Sequence, residues 1–380
     1  MEPLSEGLEL MLAFEEAVVA GDIATVNEML SDPRINPTDN DHYILRVAAQ
    51  AGRTEVVERL LADPRVTDMN IALQMAVQAG HTELVVRLLA DGRVDPSANR
   101  NSAVVQAAHW GHMDILGHLL DDPRVDPADS DNGAIMSAAA MGRMGAVVML
   151  LNDDRVDPSA QDNYALRRAV ANGHGHVVTR LMMDSRVDPS ARHNSALTQA
   201  AKNGNLNIVR RLMMDARVDP SAGYNYAVRM AAAGGHLEVV DFLLRDPRVD
   251  PSVYQNNAIC MAARGGHRGV VMRLMEDARV NPADCGNLAI AHAAENGHLA
   301  VVEALLADPR VDPSDSNNYA VCIAAENGHE EVVYRLVADP RVDAFVNKNE
   351  VLREAAERGH VRVADHLLSD LLSAPEGTTA

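Results

Sequence analysis

One short pattern recurs along the chain with an almost constant spacing. Its glycine occupies 12 positions, and successive glycines lie 31 residues apart except for one interval of 28 residues. The positions are Gly21, Gly52, Gly80, Gly111, Gly142, Gly173, Gly204, Gly235, Gly266, Gly297, Gly328 and Gly359. An arginine, usually in the string Arg-Val-Asp-Pro, keeps the same spacing from Arg34 to Arg341. Such a period predicts a stack of repeated structural units rather than a closed globule.

The first half of each unit is typical of a short helix. In the copy that starts at Asn225, the asparagine stands where the helix begins, and we expect it to be the N-cap. Alanines follow at helical spacing, at Ala227, Ala231 and Ala232, and they let neighbouring helices approach closely. Gly235 then ends the helix, and we expect a left-handed conformation there because glycine adopts it at little cost.

The second half of the unit predicts another helix. Val239, Val240 and Leu243 share one face of it, and Pro247 ends it because proline cannot continue a helix. One such pair cannot bury its apolar face alone, whereas stacked pairs bury it continuously. The sequence therefore predicts an all-α solenoid of 12 stacked helix-turn-helix units, one for each glycine.

Composition limits the partners and the compartment. The formal net charge of −20 argues against a nucleic-acid binder and against an anionic-membrane binder. No apolar run approaches a bilayer span, and the acidic start MEPLSEGLELMLAFEEAVV does not resemble a signal peptide. Three cysteines do not suggest a disulfide framework. We expect a cytoplasmic protein, with the nucleus, or the cytoplasm of a host cell if the source is viral, as the alternatives.

The repeated strings resemble ankyrin repeats. AAAGGHLEVVDFLL (231–244), AAENGHLAVVEALL (293–306) and AAENGHEEVVYRLV (324–337) match the core of that family's unit. The resemblance covers roughly residues 8–372, nearly the whole chain. Short units of this style resemble the ankyrin arrays of giant DNA viruses and some protists. The resemblance implies a non-enzymatic scaffold that binds another protein through its concave face.

The unit departs from the family in its first residues. Asn-Tyr-Ala-Leu (163–166) and similar strings replace Thr-Pro-Leu-His, and each unit is two residues shorter. We therefore expect short loops or minimal β-hairpins. The short interval predicts a stunted loop after Arg65. The predicted organisation is one array over 8–372, with polar cap units at about 8–34 and 342–372 and a disordered tail at 373–380.

Repeated polar residues have structural explanations. A histidine follows most of the glycines, and equivalent histidines about 10 Å apart could not share one metal ion. We expect each imidazole to bond to the loop backbone of an adjacent unit. Arg248 should contact Asp246 of its own unit and the aspartates of the next unit, as one step of a charge ladder.

Motifs for catalysis are missing from the sequence. GHEEVV (328–333) lacks the second histidine of a zinc helix, and GGHRGV (265–270) lacks the spacing of a dinucleotide loop. Neither Gly-x-Ser-x-Gly nor a phosphate loop occurs. Cys260 and Cys322 hold equivalent positions two units apart, too far for a disulfide, and neither has an evident base. We predict no catalytic, cofactor-binding or metal-binding residues.

Positions that differ between units are the candidates for function. They fall at the loop tips and in the two residues before each glycine, the positions that line the concave face of ankyrin proteins. The candidate partner-binding residues are His109, Trp110, Arg167, Arg192, His193, Lys202, Tyr224, Tyr254, Arg264, Glu295 and Glu326. The alternative is that these exposed positions drift without selection.

Two features favour binding at these positions. Trp110, the only tryptophan, fits an interface hot spot, with packing against a neighbouring unit as the alternative. The middle units are basic and the later ones acidic, a pattern that would steer a partner of complementary charge. We predict a monomer that binds a protein, not nucleic acid or membrane; a targeting adaptor, a host-factor decoy and a self-assembling structural protein are the alternatives.

Overall fold

The computed structural model describes residues 6–342, 348–365 and 368, and in these residues every regular element is a helix. The chain divides into two compact units, Met1–Asp188 and Pro189–Ala380. Both units are built from pairs of antiparallel helices joined by short connections. The predicted all-α repeat architecture is confirmed, and the connections contain no β-hairpin within the described residues.

The first unit contains six helix pairs. The helices are α1 (Glu6–Ala20), α2 (Ile23–Ser31), α3 (Asp39–Gln50), α4 (Thr54–Leu61), α5 (Asn70–Ala79), α6 (Thr82–Ala90), α7 (Ala98–Trp110), α8 (Met113–Asp121), α9 (Asp129–Ala140), α10 (Met144–Leu151), α11 (Ala160–Ala171) and α12 (Gly175–Leu181). Odd-numbered helices are the first helices of their repeats, and even-numbered helices are the second.

The second unit continues the same pattern. Its helices are α13 (Ala191–Lys202), α14 (Leu206–Met213), α15 (Ala222–Ala233), α16 (Leu237–Leu244), α17 (Val253–Arg264), α18 (Arg268–Met275), α19 (Asp284–Glu295), α20 (Leu299–Leu306), α21 (Asp315–Glu326), α22 (Glu330–Val337) and α23 (Lys348–Glu357). Residues 361–365 are also helical.

Alanine and branched side chains form the core of each unit. First helices pack on neighbouring first helices, as α15 does on α13 and α17, and second helices pack on second helices less extensively. Ala231 and Ala232 are fully buried between first helices, and their small size permits the close approach. Val240 and Leu243 of α16 are fully buried. Val249, in the turn that follows, is 1 % exposed.

The repeated glycine behaves as predicted. All 12 glycines have φ between 66° and 82°, the left-handed region in which glycine carries no Cβ penalty. At Gly235, a Cβ would also lie 2.4 Å from Nδ1 of His267, one repeat later. Both the backbone conformation and the neighbouring repeat therefore require glycine at this position.

Nine first helices, in the bounds given above, include an unusual turn among their first residues. Three consecutive residues there have positive φ, and we call this segment the left-handed turn. The turns occupy residues 40–42, 99–101, 130–132, 161–163, 192–194, 223–225, 254–256, 285–287 and 316–318. The shortened repeat lacks one, because α5 begins directly at Asn70 and residues 65–70 contain no positive φ. The three residues missing from that interval are those of the turn.

The asparagine that ends most of these turns is not an N-cap, so that prediction was wrong. Asn225 is itself left-handed at φ 57°, and its side chain is 5 % exposed. Its Oδ1 accepts the N–H of Asp250, 2.9 Å away in the next repeat. Asparagine tolerates the left-handed region better than most residues, and its amide is long enough to reach the next repeat. The residue therefore links repeats instead of starting a helix.

The domain boundaries remain predictions. The single array over 8–372 and its N-terminal cap at 8–34 are untested. The C-terminal cap at 342–372 lies partly outside the described residues, and the tail at 373–380 lies wholly outside them.

Candidate partner-binding surface

Histidine follows eight of the 12 repeat glycines, and each of these imidazoles contacts a backbone carbonyl of the preceding repeat, as the sequence predicted. Nε2 of His236 lies 2.8 Å from the carbonyl oxygen of Lys202. A carbonyl only accepts hydrogen bonds, so Nε2 carries the proton and donates. The other pairs, at 2.7–3.3 Å, are His81–Gln50, His112–Gln78, His174–Ala140, His267–Ala233, His298–Arg264, His329–Glu295 and His360–Glu326.

Two arginines replace the histidine with the same result. Nε of Arg53 donates to the carbonyl of Val19 at 2.7 Å, and Nε of Arg143 donates to the carbonyl of His109 at 3.0 Å. Neither contact was predicted, although each arginine directly follows a repeat glycine in the sequence. A long side chain with an N–H donor is evidently sufficient at this position.

These hydrogen bonds fix the backbone of five candidate residues and do not involve their side chains. The carbonyls of His109, Lys202, Arg264, Glu295 and Glu326 are the acceptors described above. Each lies two positions before a repeat glycine. The side chain there is therefore free to differ between repeats without loss of the connection between repeats.

The arginine of each Arg-Val-Asp-Pro string contacts its own repeat and the one before. The Arg248 guanidinium contacts Asp246, with Nε to Oδ1 at 3.0 Å and Nη2 to Oδ2 at 2.7 Å. Those hydrogen bonds lower the pKa of Asp246. Nη1 of Arg248 then donates to the carbonyl of Val218 in the preceding repeat at 3.3 Å.

The predicted contact of Arg248 with Asp246 of its own repeat is therefore correct. The predicted contact with the aspartates of the next repeat is wrong. The contact between repeats runs backward along the chain and ends on a carbonyl, because the guanidinium is already occupied on one edge by Asp246. Equivalent carbonyl contacts are made by Arg65, Arg124, Arg155, Arg186, Arg279, Arg310 and Arg341, whereas Arg93 donates to the carbonyl of Leu61.

An aromatic cluster forms in the second unit from two candidate residues and two residues outside the candidate set. The rings of Tyr224 and Tyr254 meet edge to face at 5.3 Å between centroids, with 67 % and 60 % of each residue exposed. The Arg229 guanidinium lies 4.9 Å from the Tyr254 ring and 5.1 Å from the Tyr226 ring. Arg229 also donates to the carbonyl of Gly223 and to Oδ1 of Asn257, both at 3.3 Å. Arg229 therefore positions the tyrosines.

The spacing of Tyr226 and Arg229 recurs in another repeat. A tyrosine followed three residues later by an arginine also occurs at Tyr164 and Arg167, where the guanidinium lies 5.0 Å from the ring. Arg167 donates to the carbonyls of Gln161 and Asp162 in its own left-handed turn. This predicted site residue is therefore half-buried and partly structural.

The tryptophan lies at the surface of the first unit. Trp110 is 43 % exposed, and its nearest aromatic contact is the ring of His109, edge to face at 5.0 Å. Nδ1 of His109 lies 3.0 Å from the Ser137 hydroxyl of the next repeat. His109 is thereby held in place, while Trp110 keeps a large apolar surface in contact with solvent.

The remaining predicted residues lie in the second unit. Arg192 and His193 are exposed in a left-handed turn, and Lys202 and Arg264 are exposed at the ends of first helices. Glu295 and Glu326 are half-exposed at equivalent positions. Glu326 forms an ion pair with Arg358, and Glu295 lies 3.2 Å from Nδ1 of His292.

A groove of about 360 Å³ opens beside Arg264. Its lining residues are Ala233, Asn257, Cys260, Met261, Arg264, Gly265, Leu288, His292 and Asn296, which belong to α15, α17 and α19 and the adjoining turns. Burial raises the pKa of the Cys260 thiol to about 12, so the thiol stays protonated and unreactive at neutral pH. The groove therefore offers a mixed apolar and polar cavity without an activated nucleophile.

The described residues offer neither a metal centre nor a membrane-spanning helix. No three His, Cys, Asp or Glu side chains in the described part of the chain converge as metal ligands would. No helix among the same residues has the length and apolarity needed to cross a bilayer.

Stacked helix pairs with recurring contacts between repeats define a helical repeat protein. A family model of ankyrin repeats, three copies long, matches residues 10–99, 45–131, 73–162, 135–224, 166–255 and 225–317. These matches run without a gap from residue 10 to residue 317, and the chain belongs to the ankyrin repeat family. No curated protein gives a significant match. Ankyrin repeats generally mediate protein–protein interaction and are generally non-enzymatic.

Proposed function

We propose that the protein is a non-enzymatic scaffold that binds another protein through the face formed by its left-handed turns and first helices. We call this the first-helix face; in ankyrin proteins it is the concave one. The distribution of exposed aromatic residues carries the proposal. Among the described residues, the exposed aromatic side chains are Trp110, Tyr224, Tyr226, Tyr254 and Tyr319, and all of them lie on turns or first helices. Tyrosine and tryptophan are the residues most often found at binding hot spots.

Backbone strain supports the same proposal. Tyr224 and Tyr254 have φ of 56° and 57°, a region that costs a non-glycine residue about 1–2 kcal/mol. Gly223 and Gly286 show that glycine is accepted in these turns. Bulky side chains that remain 60–67 % exposed in a strained position tend to cluster where function requires them.

The backbone contacts between repeats would favour binding. Because the carbonyls at Lys202, Arg264 and Glu295 are held by the next repeat, little ordering entropy would be lost when a partner docks there. Charge along the second unit would orient that partner, since Lys202 and Arg264 are followed by Glu295 and Glu326.

Affinity purification from the native cell would test the proposal. The Tyr224→Gly/Tyr254→Gly variant removes both rings and relieves the strained backbone, so its fold should be retained. A matched control, Met183→Ala/Met214→Ala, removes two large side chains that are 71 % and 76 % exposed after second helices. We expect wild type and control to retain the same partner and the tyrosine variant to lose about tenfold or more in affinity. Equal retention by all three proteins would contradict the proposal.

Light scattering separates this proposal from self-assembly. We expect a monomer whose mass is the same for wild type and the tyrosine variant. Oligomers of wild type that dissociate in the tyrosine variant would instead make the first-helix face a contact between copies.

A further inference from the structure

Three adjacent repeats of the second unit carry no acidic residue on the first-helix face. The spans 191–202, 222–233 and 253–264, each a left-handed turn with its helix, contain neither Asp nor Glu. They do contain Arg192, Lys202, Arg229 and Arg264, together with His193. In a chain with a formal net charge of −20, this is a local concentration of positive charge.

The next two repeats reverse the sign. The spans of α19 and α21 contain neither Lys nor Arg, and they carry Asp284, Glu295, Asp315 and Glu326. The face of the second unit is therefore basic over α13, α15 and α17 and acidic over α19 and α21.

The cations of this face differ in the contacts they already make. Arg229 is occupied with the tyrosine rings and the turn carbonyl. Lys202 and Arg264 are exposed, and neither forms a salt bridge with a described carboxylate. The Lys202 ammonium and the Arg264 guanidinium would gain most from an anionic partner, since no charged partner among the described residues has to be displaced first.

We propose that the partner segment bound by the second unit is an extended acidic peptide that crosses α13, α15 and α17. The proposal rests on the proposed function and names the chemistry of its partner. Neighbouring helices are about 8–10 Å apart and an extended chain advances about 3.3–3.6 Å per residue, so the segment passes one repeat every three residues or so. Carboxylates at every third residue would face α13, α15 and α17 in turn, so that two of them about six residues apart reach Lys202 and Arg264.

The groove beside Arg264 accepts one apolar side chain of the same segment. Ala233, Met261 and Leu288 supply its apolar lining, and its position marks the change from the basic to the acidic repeats. Asn257 lines the groove and bonds Arg229, so the groove adjoins the tyrosine cluster. An acidic peptide with one leucine therefore fits both the charge and the shape of this surface.

A peptide fits this surface better than a nucleic acid does. The basic region covers only three repeats, and the carboxylates of α19 and α21 adjoin it. A long polyanion would meet these carboxylates and the negative field of the whole chain, whereas a segment of about nine residues spans only the basic repeats.

Fluorescence anisotropy with synthetic probes would test the proposal on the full chain. The first probe is an 11-residue peptide with glutamates at every third position and a leucine near one end. The second has the same composition with its glutamates adjacent, and the third has lysines in place of glutamates. A single-stranded oligonucleotide of similar length is the fourth probe.

We expect the spaced peptide to bind at least about tenfold more tightly than the clustered and lysine peptides, and binding to weaken with added salt. Arg264→Glu and Lys202→Glu should each weaken it about fivefold or more. Arg210→Glu, the same charge change on the second helix α14, should leave it unchanged. Ala233→Phe should weaken it without any change of charge, because the new ring fills the groove.

Each contrary result has a defined meaning. Equal affinity for the spaced and clustered peptides, tighter binding of the oligonucleotide, or no saturable peptide binding at about 1 mM would overturn the acidic-peptide proposal. The wider proposal fails separately, when Tyr224→Gly/Tyr254→Gly leaves capture of the native partner unchanged. A native partner that depends on these tyrosines but lacks an acidic segment would retain the binding face and reject its assigned chemistry.

Discussion

The imidazole of His236 and the carbonyl of Lys202 join two repeats at the edge of the candidate surface, with 2.8 Å between Nε2 and oxygen. The bond ends on the backbone of a residue whose side chain is exposed. One position of the repeat therefore serves two roles, since its main chain contributes to stability and its side chain is available for recognition.

Loss of this imidazole should lower stability. We expect His236→Ala to decrease the free energy of unfolding by about 1–2 kcal/mol, because the Lys202 carbonyl loses its donor. Urea denaturation followed by circular dichroism measures the change. His118→Ala removes an exposed imidazole from α8 and should change stability by less than about 0.5 kcal/mol. Equal effects of the two substitutions would contradict the assigned role.

Two glycine substitutions should have opposite effects. Gly235→Ala should destabilise the protein by about 2–3 kcal/mol, since Gly235 has φ 74° and the new Cβ would lie 2.4 Å from Nδ1 of His267. Gly117 lies inside α8 with no atom within 4 Å of its Cβ position. Gly117→Ala should therefore stabilise the protein by about 0.5–1 kcal/mol. Thermal unfolding of both variants checks the signs, and a shift in the same direction would refute the explanation.

The buried asparagines allow a matched comparison between repeats. Nδ2 of Asn287 donates to Oδ2 of Asp315 at 2.8 Å, whereas Val253 stands at the corresponding position for Asn225. Asn287→Asp should destabilise the protein about 2 kcal/mol more than Asn225→Asp at pH 7, because two carboxylates would then meet.

The difference in stability between Asn287→Asp and Asn225→Asp should also depend on pH. The hydrogen bond from Asn287 lowers the pKa of Asp315 in the wild type. A carboxylate in place of the amide removes that stabilisation of the charged form, and one of the two acids binds a proton as pH falls. Denaturant titrations at pH 7 and near pH 3 should show the difference between the variants shrinking. A difference that is constant with pH would exclude charge repulsion as its cause.

Acid should weaken the arginine–aspartate pairs. Hydrogen bonds from Arg65 lower the pKa of Asp63 from 3.8 to about 2. A group with a depressed pKa in the folded state stabilises the fold above its unfolded pKa, and this contribution is lost as pH falls through about 4 to 2. For Asp63, which is 7 % exposed, the contribution is about 2 kcal/mol.

Asp63→Asn isolates that contribution. The wild type should exceed the variant in free energy of unfolding by about 2 kcal/mol near pH 6, and the two should converge near pH 2. Asp131→Asn, in an exposed left-handed turn, provides a control with the same chemical change. A difference between wild type and Asp63→Asn that persists at pH 2 would show that the pair does not act through its charge.

Much of the fold could be predicted from the sequence because the determining residues act locally and recur. Gly235 identified a left-handed helix end, Pro247 identified a helix stop, and the histidine ladder identified bonds between repeats. Each inference needs only the conformational limits of one residue type and the period of the pattern.

The remaining features required the tertiary structure. Asn225 has the local signature of an N-cap, yet its amide reaches Asp250, which lies 25 residues later in the chain. Arg248 has carboxylates nearby in sequence, yet its second contact is the Val218 carbonyl of the preceding repeat. Such choices depend on which atoms face each other across a repeat interface, and the spacing of residues in one unit does not encode that geometry.

For the candidate surface, too, some features could be predicted from the sequence and others required the tertiary structure. The sequence by itself determined which positions repeat and which vary, because identical backbone tasks require identical residues. Only the tertiary structure brought Tyr224 and Tyr254 into edge-to-face contact and placed the Arg229 guanidinium against Tyr254. The physical reason is that side chains 25 to 30 residues apart meet only when the repeats stack in one register, which the packing of alanine-lined helices decides.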